Sequence, residues 1–285
     1  RALLQGDAPV YVSLAPSFIA AFPGVTIDTM RDALKQLGFA DADETAVGAT
    51  IVKKRYEEML QEGQQDVIIS SCCHSVNLLL QKHYPEALPF LAQVQSPMQA
   101  HCALIRREHP DAKTVFVGPC LSKKDEADRY PELVDCVLTF EELAGIIEGK
   151  DLDIDLLEVD ENEAALCSAS AAGRGFAQSG GVANAVANKI KEWHPDMEVK
   201  IASAQGLADC KKLLMLAKAG KYNGYLLEGM GCPGGCIGGA GTIADPARTA
   251  IQLNKYMKEA PFTDPEQSPY MSEIHVLKDD PNFEL

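Results

Sequence analysis

No run of apolar residues among the 285 is long enough to cross a bilayer, and no secretory signal peptide is visible. Positive charge is scarce. Against 41 Asp and Glu stand 26 Lys and Arg, a formal net charge of −15. A body this acidic repels nucleic acid and anionic membranes, so neither is expected as a partner. Internal repeats and low-complexity segments are missing too. What the chain does have is 46% hydrophobic residues, 22 glycines and nine cysteines. That length and apolar content suit one large domain or two modest lobes. The cysteine count is odd and the chain is too large to need a disulfide scaffold, so reduced thiols in a cytoplasmic, anaerobic setting are expected. Some of them should be metal ligands and some small core residues.

Strand and helix signals alternate along the chain, which is the α/β pattern. Short β-rich runs occur at Val10–Ser17, Asp66–Ser71, Lys113–Cys120 and Leu133–Phe140, and in the segments EVKIASAQG and YNGYLLEG. Helical periods occupy Asp43–Gly63, Ser75–Glu86, Met98–Pro110, Ser179–Pro195, and the segments EELAGIIEGK, LADCKKLLMLAKAGK and PARTAIQLNKYMKEA. Three of the strands run straight into cysteine, as DVIISSCC, TVFVGPC and YLLEGMGC. In open α/β sheets ligands collect beyond the carboxyl ends of strands. These ends could aim Cys72 or Cys73, Cys120, and Cys232 with Cys236 at one point, and four thiolates are what an iron–sulfur cubane requires.

Each motif alone admits a plain reading. EGMGCPGGCIGGAG, Glu228–Gly241, could be a glycine loop with two incidental thiols, although its glycines let backbone close tightly around a bulky inorganic centre. SSCCHSVN, Ser70–Asn77, could be a buried small pair, although a strand-to-helix junction favours a thiolate. His74 within it reads as a capping or packing residue. GPCLSKKDE, Gly118–Glu126, could be a solvated charged face, although Cys120 and Lys123 share one side of a first helical turn. Cys102, Cys136, Cys167 and Cys210 match no motif and are read as core residues. The small-residue stretch LCSASAAGRGFAQSGG around Cys167 is read as a loop near the cluster.

Taken together and in order, with Ala15-Pro16-Ser17 near the start, these motifs resemble the catalytic, H-cluster domain of the [FeFe] hydrogenases from about Val10 to Ala260. The resemblance implies a [4Fe–4S] cubane joined through a cysteine sulfur to a two-iron subsite carrying CO, cyanide and azadithiolate. It places the cubane on Cys73, Cys120, Cys232 and Cys236, with Cys236 bridging to the two irons. Lys123, Ser17 and backbone around Ala15 and Pro16 would meet the cyanides, and Met230 would pack beside the subsite. Cys72 would pass protons, with a thiol pKa near neutral suited to that step. The reaction implied is reversible cleavage of H2 to protons and electrons. Ferredoxin or an iron–sulfur domain in the same protein would exchange the electrons, and maturation proteins would supply the two-iron unit.

Departures from the family pattern accompany the match. His74 stands where the family has proline and Gly118 where it has methionine, removing a contact and altering polarity at the two-iron site. Arg55, Val52 and Ala92 occupy the positions of two relay glutamates and a serine, with Glu57 and Glu58 nearby. These features resemble the sensory subgroup of the family and imply slow, H2-sensing turnover with a signalling partner. A Nar1-like iron–sulfur assembly protein, which keeps the cubane without the two-iron subsite, is the rival reading. A small ferredoxin-like carrier is disfavoured by chain length and by the missing Cys-x-x-Cys-x-x-Cys run. The expected fold is α/β with two lobes, each a small twisted mixed β-sheet flanked by helices, and the cluster in the cleft between them. Lobe one is expected over about 1–107, with the helix 246–260 returning to it, lobe two over about 108–241, and a tail over 261–285. The chain opens on Arg1, so it is read as a piece of a longer protein from which amino-terminal iron–sulfur domains and a carboxyl-terminal signalling domain have been left out.

Overall fold

The computed structural model describes residues 2–63, 65–157, 169–196, 198–262 and 267. The chain runs β1 (Val10–Leu14), α1 (Phe18–Ala21), α2 (Ile27–Gln36), β2 (Asp41–Glu44), α3 (Ala46–Glu62), β3 (Val67–Ile69), α4 (His74–His83) and α5 (Pro97–Glu108). It continues with β4 (Lys113–Gly118), α6 (Ser122–Arg129), β5 (Cys136–Thr139), α7 (Phe140–Glu148), α8 (Ala171–Gly175) and α9 (Gly181–Trp193). It closes with β6 (Lys200–Gln205), α10 (Leu207–Lys218), β7 (Tyr225–Met230) and α11 (Pro246–Lys258).

The strands form two sheets, ordered β2-β1-β4-β5 and β3-β7-β6. Every neighbouring pair is parallel, so the sheets are not mixed as expected. The reason is connectivity: each link between neighbours passes through at least one helix, which returns the chain to the same end of the sheet. The sheets also do not follow a division at residue 107. β3, from the first part of the sequence, pairs with β7, while β4 and β5 lie beside β1. The two lobes are therefore interleaved in sequence.

Helices α3 and α5 fill the layer between the sheets. Met98 and Cys102 of α5 join the core around β1 and β4, while its Ala100 and Leu104 join the core around Ile68 and Leu226. The two helices cross so closely that a Cβ on Gly48 would stand 2.1 Å from the Pro97 carbonyl oxygen. In β3 successive side chains alternate between faces, Ile68 toward α3 and α9, Val67 and Ile69 toward α4 and α10. Helix α11 places Leu253 and Tyr256 in the core of the β1 lobe.

Several elements differ from the sequence reading: α1 and α6 are not among the helical periods of the sequence, and α8 lies in the stretch read as a loop. Helix α2 starts at a Thr26 side-chain cap on the Thr29 amide, ahead of its apolar stripe. The helix expected from Asp43 begins instead at Ala46, because Asp41–Glu44 is an edge strand. Its acidic sequence is balanced from neighbouring elements. Asp41 takes a bidentate pair from Arg31, and the fully buried Glu44 takes one from Arg174 of α8.

Candidate functional site

The carboxyl ends of β1, β3, β4 and β7 meet between the lobes. They line a cavity of about 80 Å3 with Ala15, Pro16 and Ser17 after β1, Cys72 after β3, Cys120 after β4, Met230 at the end of β7 and Cys236 beyond it. Lys123, from the first turn of α6, completes that set. The remaining wall is almost wholly apolar, from Ala49, Met98, Phe116, Phe176 and Ala177.

The four candidate cubane cysteines arrive from three loops. Cys73 caps α4, and its sulfur accepts the Gly231 amide at 3.3 Å. Cys120 sits at the start of α6, where the Ser122 and Lys123 amides donate to its sulfur. Cys232 follows β7, and Cys236 opens a 3-10 turn over Cys236–Gly238. Burial pushes the Cys120, Cys232 and Cys236 thiols up, and repulsion among the four sulfurs adds to it. Among the described residues no three His, Cys, Asp or Glu side chains are drawn together tightly enough for a single metal ion. Thiolates that bind four separate irons stand further apart than ligands sharing one ion.

The glycines of this loop serve a purpose other than room for the centre itself. A Cβ on Gly239 would stand 2.2 Å from the Pro119 carbonyl oxygen, and one on Gly235 would stand 2.5 Å from the Ser179 amide. The loop lies directly on the backbone of the Cys120 loop and of the turn before α9. Gly235, with φ of 92°, also adopts a conformation that favours glycine. Close backbone contact, more than open space, explains the composition.

Lys123 and Glu126 are buried, so the GPCLSKKDE motif is not a solvated face. The Lys123 ammonium lies 2.5 Å from Glu126 Oε2 and 3.4 Å from the Cys72 carbonyl oxygen. Burial opposes the charge, but Glu126 and the Cys120 and Cys236 sulfurs hold its pKa above the ordinary lysine value. Ser17 Oγ is buried and has no hydrogen-bond partner in the protein. An orphaned hydroxyl and a buried ammonium at an apolar cavity beside Cys236 suit a bound group that brings its own acceptors.

Two expectations need correction. Cys72 is not near neutral: burial pushes its thiol up to about 12, against the opposing pull of the Tyr56 hydrogen bond and Lys123, so it rests as S–H. Gly118 leaves no gap, because a Cβ there would meet the Phe116 ring at 2.6 Å, and that ring already lines the cavity. His74 packs in the interior, as its motif suggested. It is buried, opens α4, and its Nε2 lies 2.6 Å from Asp125 of α6.

Other residues fall where they were expected or beyond view. Cys102 and Cys210 are fully buried in helices, and Cys136 packs on the core from β5. Cys167 lies outside the described residues, but Gly173, Phe176 and Ala177 of the same small-residue stretch do line the cavity. Arg55 points to Glu58 and Glu62, Val52 is in the core, and Glu57 pairs with Lys53. Motif reading missed Phe116, Thr45 and, above all, Tyr56. Its ring is fully buried and its hydroxyl lies 3.6 Å from the Cys72 sulfur. Only the position of Tyr56 on the inner face of α3 could have signalled it.

The chain is similar in sequence and in fold to known proteins. The chain is 28% identical to Iron hydrogenase 1 of Clostridium pasteurianum over 85% of its own length and 51% of that protein, so it spans about half of that relative. It is 33% identical to the cytosolic Fe-S cluster assembly factor NAR1 of Eremothecium gossypii, over 35% of this chain and 23% of that one. Its fold matches the apo [FeFe]-hydrogenase HydA1 from Chlamydomonas reinhardtii, variant C377H, with a TM-score of 0.77 at 20% identity, covering 96% of this chain and 92% of that one. Residues 8–240 match the family described as iron only hydrogenase large subunit, C-terminal domain, and the chain belongs to that family.

Proposed function

We propose that this chain holds an H-cluster and catalyses reversible heterolytic cleavage of H2, slowly and in an H2-sensing role. Cys73, Cys120, Cys232 and Cys236 would ligate the cubane, and Cys236 would join it to the two-iron subsite. The bound group would supply the irons at which H2 is split and through which its electrons pass. The chain's own residues do the rest. Ser17 and the Lys123 ammonium donate hydrogen bonds into the cavity, where cyanide nitrogens would accept them. Met230, Phe116, Met98 and Phe176 exclude water. Cys72, held neutral at the cavity wall, keeps a proton available to the reacting centre.

The observation that carries this reading is the apolar cavity against Cys236, with an orphaned Ser17 hydroxyl and the buried Lys123 at its wall. The relay-position residues Arg55, Val52 and Ala92 bring no carboxylate to Cys72, which supports slow turnover and a sensing role. Electrons would be exchanged with a ferredoxin or an iron–sulfur domain of the same protein, maturation proteins would deliver the two-iron unit, and a signalling partner would read the state, in an anaerobic cytoplasm. The similarity to NAR1 favours a second reading, a cubane-only assembly protein, for which Ser17, Lys123 and Cys72 would have no use.

The test is H2 evolution from reduced viologen by the chain loaded with cubane and a synthetic two-iron complex. Slow but catalytic turnover supports the proposal. No turnover from a fully loaded protein removes the enzyme reading, and turnover as fast as the family's bulk catalysts removes the sensing one.

A further inference from the structure

A second cavity, of about 390 Å3, lies between α4, α6 and the segment before α5, with Ser71, the neighbour of Cys72, in its wall. It opens at the surface beside Gln93, Arg129 and Glu132. Its character is polar. Asn77 Oδ1 and Gln95 Oε1, both among its lining residues, are buried without a protein partner, the usual mark of ordered water. Ser71 lines this cleft, whereas Cys72 lines the first cavity.

Tyr56 joins the two. Its hydroxyl lies 3.6 Å from Cys72 Sγ and 3.1 Å from Ser71 Oγ, and it accepts the Ser71 amide at 2.8 Å. The Ser71 hydroxyl in turn donates to the Val94 carbonyl at 2.5 Å. One assignment of protons satisfies all of these contacts. Ser71 donates to Val94, Tyr56 donates to Ser71, and the Cys72 thiol donates to Tyr56. Each hydrogen then points from the cofactor cavity toward the cleft.

We propose that Tyr56 and Ser71 carry protons between Cys72 and the water-filled cleft, in place of a carboxylate relay. The proposal rests on the hydrogenase reading for its purpose but not for its test. A proton arriving at the Cys72 sulfur lets the thiol's own proton pass to Tyr56 Oη. The phenol proton passes to Ser71 Oγ, and the serine proton passes to a cleft water as its hydroxyl turns from Val94. One proton enters and one leaves, every side chain ends neutral, and rotation of the three groups resets the chain. Neutral hydroxyls pass protons less readily than carboxylates, which fits slow turnover.

The Lys123–Glu126 pair also joins the two cavities. Lys123 reaches only the carbonyl oxygen of Cys72, and using it would require discharging a buried ion pair.

The experiment is infrared spectroscopy of the loaded, full chain transferred into D2O. The Cys72 S–H band is identified as the one lost in Cys72→Ala. In Tyr56→Phe the band should rise in frequency, because the thiol loses its acceptor, and its exchange to S–D should slow by roughly a hundredfold, the low end for a positioned proton-transfer group. Ser71→Ala should slow exchange similarly while leaving the band nearer its original frequency, and it guards against a folding defect in the tyrosine variant. Isotope exchange between H2 and D2O should fall in both variants with the carbonyl bands unmoved. Unchanged S–D exchange in both variants overturns the relay, as does slowing confined to Glu126→Gln. A wild-type chain that shows the S–H pattern but never turns over H2 leaves the relay standing and removes the hydrogenase reading instead.

Discussion

Arg174 offers the sharpest test of how the cavity is held. Its guanidinium is 2% exposed and forks onto Glu44 of β2 at 3.0 and 2.6 Å. It also donates to the Tyr256 carbonyl at 2.7 Å and stacks 3.5 Å from the Tyr256 ring. One side chain thus ties α8 to the edge of the first sheet and to α11, while its neighbour Gly173 lies against the Ala46 carbonyl and lines the cavity. Arg174→Met leaves the Glu44 carboxylate buried without the guanidinium. Breaking a buried pair from one side costs about 3–5 kcal/mol, a large share of the about 5–15 kcal/mol by which a domain is stable. Glu44→Leu should cost a similar amount. The double variant should cost clearly less than the two together, since neither charge is then stranded, with an interaction of at least about 1.5 kcal/mol. Urea unfolding of the cluster-free chain by circular dichroism measures all three. A loss under about 1 kcal/mol for Arg174→Met, or simple additivity, would mean that the pair does not hold α8 to β2.

Further outcomes follow from other residues. His101 is buried against Ser13, and burial lowers its pKa to about 3 from 6.5. The unfolded chain then binds the proton first as pH falls, so stability should drop by about 1.4 kcal/mol per pH unit below 6.5, down to about pH 3; His101→Gln should flatten that part of the unfolding profile. Lys123→Met should leave cubane content intact by iron analysis and Mössbauer spectroscopy but abolish uptake of a synthetic two-iron complex. Gly239→Ala, whose Cβ would meet the Pro119 carbonyl oxygen at 2.2 Å, should lose about 1–3 kcal/mol in thermal or urea unfolding and bind less cubane iron.

Some of this was written plainly in the sequence. Val67–Ile69, Lys113–Gly118 and Tyr225–Met230 are hydrophobic runs that no helix would tolerate as well, and each leads into a cysteine loop. Local pattern therefore placed Cys72 or Cys73, Cys120 and Cys232 at strand ends. The interleaving of the lobes was not legible, because β3 and β7 are distant in sequence and pairing register has no local signature. The acidic strand Asp41–Glu44 was hidden for a related reason: Arg31 and Arg174, which make it tolerable, come from other elements. Tyr56 read as one more residue of an amphipathic helix. Its contact with Cys72 and Ser71 exists only once α3 lies across the end of β3. The near-neutral thiol expected at Cys72 failed because burial is a property of the fold, not of the motif.

The central claim is that the cavity beside Cys236 receives a two-iron group. The measurement is infrared spectroscopy of the cubane-reconstituted chain after addition of a synthetic two-iron complex, first under inert gas and then under H2. Protein-bound carbonyl and cyanide bands should appear, shift reversibly with H2 and disappear in Lys123→Met. A complete cubane with no bound carbonyl bands would contradict the claim and leave a cluster-carrying protein of the assembly type.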